Sequence, residues 1–448
     1  MKDIVSLCKR RGFIFPGSEI YGGLANTYDL GPLGVEMLRN IVDSWWEFFV
    51  HQREEIYGLD TSILMSPRVW EASGHTESFN DLLVDCKNCQ LRTRADHIIE
   101  DYLTKNGKSE KVEGRSAKEL DTLINKYKIE CPECGEFDWT PARAFNLLFK
   151  THIGIIPGEK STAYLRGEIA QGMFVNFKNV LDTMHPKLPF GLAQFGKAFR
   201  NEITLGNYIF RTLEFNLAEF EYFFDPNEQD WMEYFKFWKE QMVKWIVGLG
   251  VNEDHLRWRV HTDDERSHYS ERTEDLDFRF PMGYKEMFGL AYRTDFDLRN
   301  HMEKSGVDMT YTNHKTGEKI IPHVVEPTFG INRVLFALLT DAYNEDGKRT
   351  VLELAPEIAP YKFAVFPLVR NKPEIVEKAR EVFKHLNKDY NVAWDDRGNI
   401  GKRYLSQDEI GTPYCVTIDY DTLEDDTVTV RDRDTTEQER VPFRDIAI

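Results

Sequence analysis

A cation and an anion stand two residues apart in Phe199-Arg200-Asn201-Glu202. On an extended backbone side chains alternate between faces, so Arg200 and Glu202 share one face and Phe199 takes the other. Arg211 follows beyond a turn signal at Leu205-Gly206-Asn207, and the return run Leu213 to Phe223 adds Phe215 and Glu219. Such a hairpin presents two guanidiniums, an aromatic ring and several carboxylates. Guanidiniums match phosphate oxygens in two-point hydrogen bonds, and a ring gives adenine a stacking surface, so the set suits ATP. A surface hairpin of exposed ion pairs would have the same spacing, and exposed pairs carry little information.

Two further groups carry chemistry. Glu326-Pro-Thr-Phe-Gly330-Ile-Asn-Arg333 runs into an apolar helical pattern from Ile331 to Tyr343, which puts Arg333 in a first turn, where anions are favoured. Cys86-Lys-Asn-Cys89 and Cys131-Pro-Glu-Cys134 read as metal knuckles before disulfides, although the span between them exceeds that of an ordinary zinc ribbon. Reduced thiols that merely pair are the alternative. Cys8 and Cys415 are left over as free thiols. His75, His97 and His323 read as structural, and the Lys- and Glu-rich run from Lys105 to Lys128 as a solvated helical face.

The elements that must position these groups follow from periodicity. A Trp- and Phe-rich helix is expected over Val35 to His51, an amphipathic one over Trp231 to Gly248, and antiparallel sheet from Arg143 to Phe224 and again before Ile331. Residues 86–141, bounded by the Cys pairs, suggest an insertion interrupting a body made of 1–85 and 142–350. After Ala355-Pro356 a strand from Phe363, a helix from Glu374 to Leu386 and a strand from Tyr414 indicate a compact α/β domain over 355–448. The chain of 448 residues is 41% hydrophobic and carries a formal charge of −18, so nucleic acid would have to bind a local basic patch. No apolar run is long enough to span a membrane and the start lacks a signal-peptide core, so a cytoplasmic protein is expected.

Taken together, Phe199 to Glu202 and Glu326 to Arg333 resemble motifs 2 and 3 of the class II aminoacyl-tRNA synthetases, and Pro67 within Ile63 to His75 resembles their dimer-forming motif 1. The resemblance narrows to glycyl-tRNA synthetases of the homodimeric type. It is carried by Arg11 to Asn26, Arg94-Ala-Asp-His97, Ala170 to Phe177, Arg293-Thr-Asp-Phe-Asp-Leu298 and Gly401 to Pro413. It implies an α+β fold: a class II catalytic domain of antiparallel sheet flanked by helices, a Cys-rich insertion and a C-terminal α/β anticodon-binding domain bearing Arg397, Lys402 and Arg403. It also implies glycine, ATP with Mg²⁺, and tRNA(Gly) as ligands, structural Zn²⁺ on Cys86, Cys89, Cys131 and Cys134, and a homodimer without membrane attachment.

Residue by residue, the resemblance implies that Arg200, Glu202 and Arg333 are catalytic. Arg200 would contact the α-phosphate, Phe215 would stack on adenine, and Arg211 and Arg333 would grip the outer phosphates. Asn201, Phe210, Met287 and Gly330 complete the ATP site, and Glu286 would hold Mg²⁺. Glu168, Glu219 and Glu326 would surround the glycine ammonium, with Thr328 nearby and Arg94 as a further contact. Where the usual pattern reads Leu-Arg-Pro-Glu-Thr, this chain has Leu165-Arg166-Gly167-Glu168-Ile169, which bears on the rigidity of the pocket; Thr328 stands where Ser is usual. A silent nucleic-acid-binding protein on the same scaffold has no reason to keep Arg200, Glu202, Arg211 and Arg333 together. Ligases for threonine, proline or serine are the other rivals.

Overall fold

The computed structural model describes residues 1–112, 114–154, 161–202, 206–262, 266–267, 269–313, 316–347 and 349–447. Leu205, the first residue of the expected hairpin turn, lies outside them.

A seven-stranded sheet organises the larger part of the chain. Its strands are β1 (Ile56–Gly58), β2 (Phe190–Phe199), β3 (Glu214–Phe224), β4 (Leu256–Val260), β5 (Arg272–Phe280), β6 (Gly283–Thr294) and β7 (His323–Gly330). They lie side by side in the order β4, β5, β6, β7, β3, β2, β1, antiparallel throughout except for the pairing of β1 with β2.

One face of this sheet is largely apolar. Phe220, Tyr222 and Phe224 from β3, Val325 and Phe329 from β7 and Phe288, Leu290 and Tyr292 from β6 point into a single large core. Helices Pro32–Trp46, Trp231–Gly248 and Ile331–Asp341 supply its other wall through Trp45, Trp238, Trp245 and Leu335. The first of these continues into a π-helical turn at Glu47–His51, which brings Phe49 against Phe220, Trp245 and Phe329. Edge-on and tilted ring pairs of this kind add to the area they bury.

The opposite face is divided. Its lower half, Phe190, Leu192, Phe223 and Val324, is covered by helix Ala170–Met184 through Met173, Phe174 and Phe177. That helix corrects the expectation of sheet throughout 143–224. Its buried residues Ala170, Met173, Phe174, Phe177 and Val180 recur at helical spacing, and that period outweighs the turn signals around it. Alternation along β3 and β7 turns Phe215, Glu219, Glu221, Glu326 and Thr328 toward the upper half. The candidate site lies there.

The Cys-rich segment has its own small core, built from Val84, Ile99, Leu103, Leu120, Leu123 and Ile124. Helices Ala95–Lys105 and Ala117–Tyr127 pack on a three-stranded sheet of Asn80–Asp85, Arg92–Arg94 and Arg143–Asn146. The C-terminal part is a five-stranded mixed sheet in the order Val392–Trp394, Phe363–Pro367, Tyr414–Ile418, Thr427–Asp432, Gln438–Pro442, with helix Pro373–Leu386 buried against it. The two antiparallel strands at its end went unseen in the sequence. Arg349 joins this unit to the large sheet's body: it reaches Asp408 at 3.2 Å, and Asp408, fully buried, also accepts two hydrogen bonds from Arg431. Among the described residues, no helix is long and apolar enough to cross a membrane.

Candidate active site

The upper half of the open sheet face forms a cleft lined by Arg200, Glu202, Phe210, Arg211, Phe215, Glu286, Met287, Thr328, Gly330 and Arg333, among others. Strand β2 ends at Phe199, so Arg200 and Glu202 lie just past its end and not within it. The ladder persists one step, the Arg200 N–H donating to Leu213, before the chain turns off. Arg200 lies between the rings of Phe79 and Phe215, 5.2 and 5.3 Å from their centroids, while its Nε donates to the Gly167 carbonyl. Arg211 pairs with Glu202 at 2.9 Å. Arg333, in the first turn of helix Ile331–Asp341, lies over Phe210 and pairs with Glu286 at 3.0 Å. Burial opposes ionisation of Glu286, but Arg333, Arg200 and Arg211 outweigh it and hold its carboxyl below the usual range. Three guanidiniums converging beside two aromatic rings suit a polyphosphate joined to a flat base.

Deeper on the same face the chemistry changes sign. Glu219 on β3 stands opposite Thr328 on β7, which stands opposite Gly289 on β6. Glu168, Glu219 and Glu326 are all buried. Arg293 on β6, 1% exposed, pairs with Glu326 at 2.8 Å and with both oxygens of Asp297, and lies over Tyr269. Gln171 donates to Glu168 at 3.0 Å and to Asp297 at 2.8 Å, and His301 meets its carbonyl at 2.8 Å. His75 Nε2 closes the network 3.2 Å from Glu168.

These partners set the charges. Burial disfavours the Glu168 anion, yet His75, Arg293 and Gln171 together hold its carboxyl well below the usual range. Burial dominates at Glu326, with Glu168 adding repulsion and Arg293 opposing, and lifts it to about 7. Glu219 is pushed well above the usual carboxylate range by burial and by Glu326 and Glu168. A buried pocket with more carboxylates than cations is a site for a small cation.

The four knuckle cysteines converge in the insertion. Cys86 and Cys134 sulfurs are 3.6 Å apart, as are those of Cys89 and Cys131, and all four fall within 4.8 Å of one another. A tetrahedral ion with bonds of about 2.3 Å needs sulfurs about 3.8 Å apart, so the donor set and its spacing are compatible with Zn²⁺. Each knuckle closes through a left-handed residue after its second cysteine, Gln90 at φ 62° and Gly135 at φ 75°.

The similarities of the chain follow the same outline. Residues 362–447 match the anticodon binding domain family. A glycine–tRNA ligase of Geobacillus thermodenitrificans (strain NG80-2) is 51% identical over 451 residues, covering 100% of this chain and 96% of that relative. One of Alkaliphilus oremlandii (strain OhILAs) is 50% identical with the same coverage, and one of Caldanaerobacter subterraneus subsp. tengcongensis is 50% identical over 98% of this chain and 95% of that relative. The chain belongs to the glycine–tRNA ligase family.

In this glycine–tRNA ligase family member, most residues singled out from sequence meet in the cleft. Asn201 does not line it; its N–H donates to the Leu147 carbonyl. Arg94, on strand Arg92–Arg94, pairs with Asp81 at 2.9 Å and with Asp96, and the cleft carboxylate whose charge acts on it is Glu202. Gly167 has Leu148 and Phe79 where a Cβ would go, at 2.9 and 3.1 Å, and Ile169 is fully buried with Ala198, Leu217 and Phe215. Both departures from the usual pattern are therefore packed into their surroundings. Sequence reasoning assigned no role to Arg293, Asp297, Gln171 or His301. The spacing of Arg293 and Asp297, inside a stretch already singled out, was the available signal.

Proposed function

We propose that the chain is a glycine–tRNA ligase in which the arginine-rich end of the cleft holds ATP and the carboxylate-rich end holds glycine. The observation that carries this reading is the change of chemistry along one sheet face, from Arg200, Arg211 and Arg333 to Glu168, Glu219 and Glu326, in a chain half identical over its whole length to curated members of that family. The oxygen of the glycine carboxylate attacks the α-phosphorus of ATP, pyrophosphate leaves, and the terminal ribose hydroxyl of the tRNA then takes the glycyl group, releasing AMP.

In this reading Arg200 steadies the α-phosphate, with its Nε anchored on Gly167 and Phe215 beneath it, and Glu202 holds Arg211 toward the nucleotide. Phe215 or Phe210 offers adenine a face, beside Met287 and Gly330. Arg333 and Arg211 draw the pyrophosphate outward. Positioning and charge neutralisation supply the catalysis. Glu286 fits a Mg²⁺ site as a lone carboxylate, because that ion is usually shared between one or two carboxylates and the substrate phosphates. Mg²⁺ there would neutralise phosphate charge. Glycine, lacking a side chain, is selected by exclusion, and Thr328, between Glu219 and Gly289 in the sheet, would be the group that meets a larger side chain. Asn201 and Arg94 would act from outside the amino-acid pocket.

The separate cores support a division into a class II catalytic body, an insertion whose Cys86, Cys89, Cys131 and Cys134 hold Zn²⁺, and an anticodon-binding domain (355–448) for tRNA(Gly). The insertion's sheet and core reach past the expected 86–141 to take in Asn80–Asp85 and Arg143–Asn146, so the catalytic body is correspondingly less than 1–85 and 142–350. A cytoplasmic homodimer completes the proposal. The test is amino-acid-dependent exchange of pyrophosphate into ATP with glycine, alanine and serine, repeated with Glu219→Ala. Exchange with glycine alone, lost in the variant, is expected; no exchange with glycine would sink the assignment.

A further inference from the structure

Glu221 is the least explained group of the interior. It is fully buried, and among the described residues neither of its carboxylate oxygens has a hydrogen-bond partner. It follows Glu219 by two residues on β3, so it faces the same side of the sheet, and the carboxylate oxygens of Glu219, Glu221 and Glu326 lie within 4.8 Å of one another. Glu219 faces it from its own strand, Glu326 from β7, Arg293 from β6 and Asp297 from helix Phe296–Ser305. Arg293 is the only cation among these, and it is already engaged by Asp297 and Glu326. Farther round the ring lie Glu168 with His75 behind it, Arg166 and Arg200 beside Glu219, Tyr269 against Arg293, and His301 behind Gln171.

A dry interior does not hold several adjoining carboxylates ionised with one shared guanidinium. Burial, and then Glu326, push the Glu221 carboxyl well above its usual range, and the titration belongs to the cluster as a whole. The cation that would let the cluster ionise is the one the pocket is built to receive.

We propose that Glu221 is a fourth carboxylate of the amino-acid site, carrying a proton while no cation is present and losing it to solvent when the ammonium of glycine settles beside Glu219 and Glu326. This rests on reading the pocket as the glycine site. One cation replaces another: the O–H bond of the carboxylic acid breaks, the proton passes to buffer, and the carboxylate faces the ammonium. No other bond changes. The neutral form keeps the pocket foldable when empty, and the ionised form strengthens the field on the substrate.

Calorimetric titration of glycine into the full-length protein, in phosphate and in Tris at one pH near neutrality, reads the proton directly. The two heats should differ by the ionisation heats of the buffers times about one proton per glycine. Glu221→Gln, which mimics the protonated form, should abolish the difference and raise the KM for glycine in pyrophosphate exchange by about tenfold, while Glu221→Asp should retain proton release. Equal heats in both buffers for the wild type, or full proton release from Glu221→Gln, would overturn the proposal. Should that variant fail to fold, Glu221→Met, which keeps the length of the side chain without a titratable group, takes its place with the same two outcomes. Glycine that produces no heat and no exchange at all would instead remove the reading of the site.

Discussion

His75 Nε2 lies 3.2 Å from Glu168 in a pocket where both side chains are buried, although adenylate formation requires no histidine. The Ser73 hydroxyl is 2.8 Å from the other ring nitrogen, so the imidazole is held from both sides. Removing the imidazole leaves Glu168 with Arg293 and Gln171 but without its third partner, at a cost of roughly 1–3 kcal/mol. His75→Ala should therefore lower thermal stability and raise the KM for glycine, with the KM for ATP little changed. The pH dependence has a definite sign. A depressed carboxyl contributes stability that is complete above its unfolded value, 4.5, and is lost as pH falls below it. His75→Ala should move the midpoint of acid unfolding, followed by circular dichroism, to higher pH.

Arg200 and Arg333 are fixed by backbone carbonyls, Gly167 for one and Glu286 for the other, so their guanidiniums are placed before any nucleotide arrives. Preorganised charge of this kind accounts for roughly a hundredfold or more in rate per group. Arg200→Ala and Arg333→Ala should each reduce glycine-dependent pyrophosphate exchange by about that factor. Melting temperatures should stay near the wild-type value. A loss confined to the KM for ATP would place both residues in binding alone.

The glutamate cluster predicts an opposite pH trend to that of Glu168. Glu326 titrates at about 7 against an ordinary 4.5, so between those values the folded chain keeps a proton that the unfolded chain has released. That contribution to stability shrinks as pH rises through the window. In the proposed reading glycine binds the ionised cluster, so it should raise the melting temperature more at about pH 8 than at about pH 5.5, measured by differential scanning fluorimetry. An equal rise at both values would show that the cluster does not titrate with the ligand.

The two departures beside Glu168 should not revert freely. Ile169→Thr exchanges a buried ethyl group, packed with Ala198 and Leu217, for a hydroxyl, which should cost about 1–3 kcal/mol by chemical denaturation. Gly167→Pro forces atoms toward Leu148 and Phe79, and Phe79 is the ring under Arg200. Its effect should therefore fall on the KM for ATP as well as on that for glycine.

Elemental analysis of the purified protein should find about one zinc per chain, as a four-sulfur site of this geometry binds. Cys86→Ser should lose the metal and open residues within 86–141 to proteolysis, while the large sheet stays protected because its core is separate.

The arginines of the proposed nucleotide end were legible only in combination: the spacing of Phe199 to Glu202 alone fits a surface hairpin equally well, and Glu326 to Arg333 tipped the reading. The Cys pairs were legible because two Cys-x-x-Cys knuckles are a specific metal-binding pattern. What escaped was held by distance or by period. Gln171 meets Asp297 and His301 from more than a hundred residues away, a relation that no local spacing encodes. Helix Ala170–Met184 was hidden because its apolar residues were read as alternating segments, when their recurrence at Ala170, Met173, Phe174 and Phe177 is helical. Arg200 and Glu202 were assigned to a strand that stops at Phe199, yet both reach the cleft because the chain leaves the sheet toward it.

Strand β3 works as a ruler. In the proposed reading Phe215 marks the nucleotide end and Glu219, four residues on, the amino-acid end; an extended chain advances about 3.4 Å per residue, so ring and carboxylate are set roughly 14 Å apart along one strand. A molecule that satisfies both marks must carry a base at one end and an ammonium at the other. Because the graduations alternate between faces, slipping β3 by one residue against β7 would turn every mark into the apolar core at once. The register of two strands therefore calibrates both substrate sites together, and neither can drift without the other.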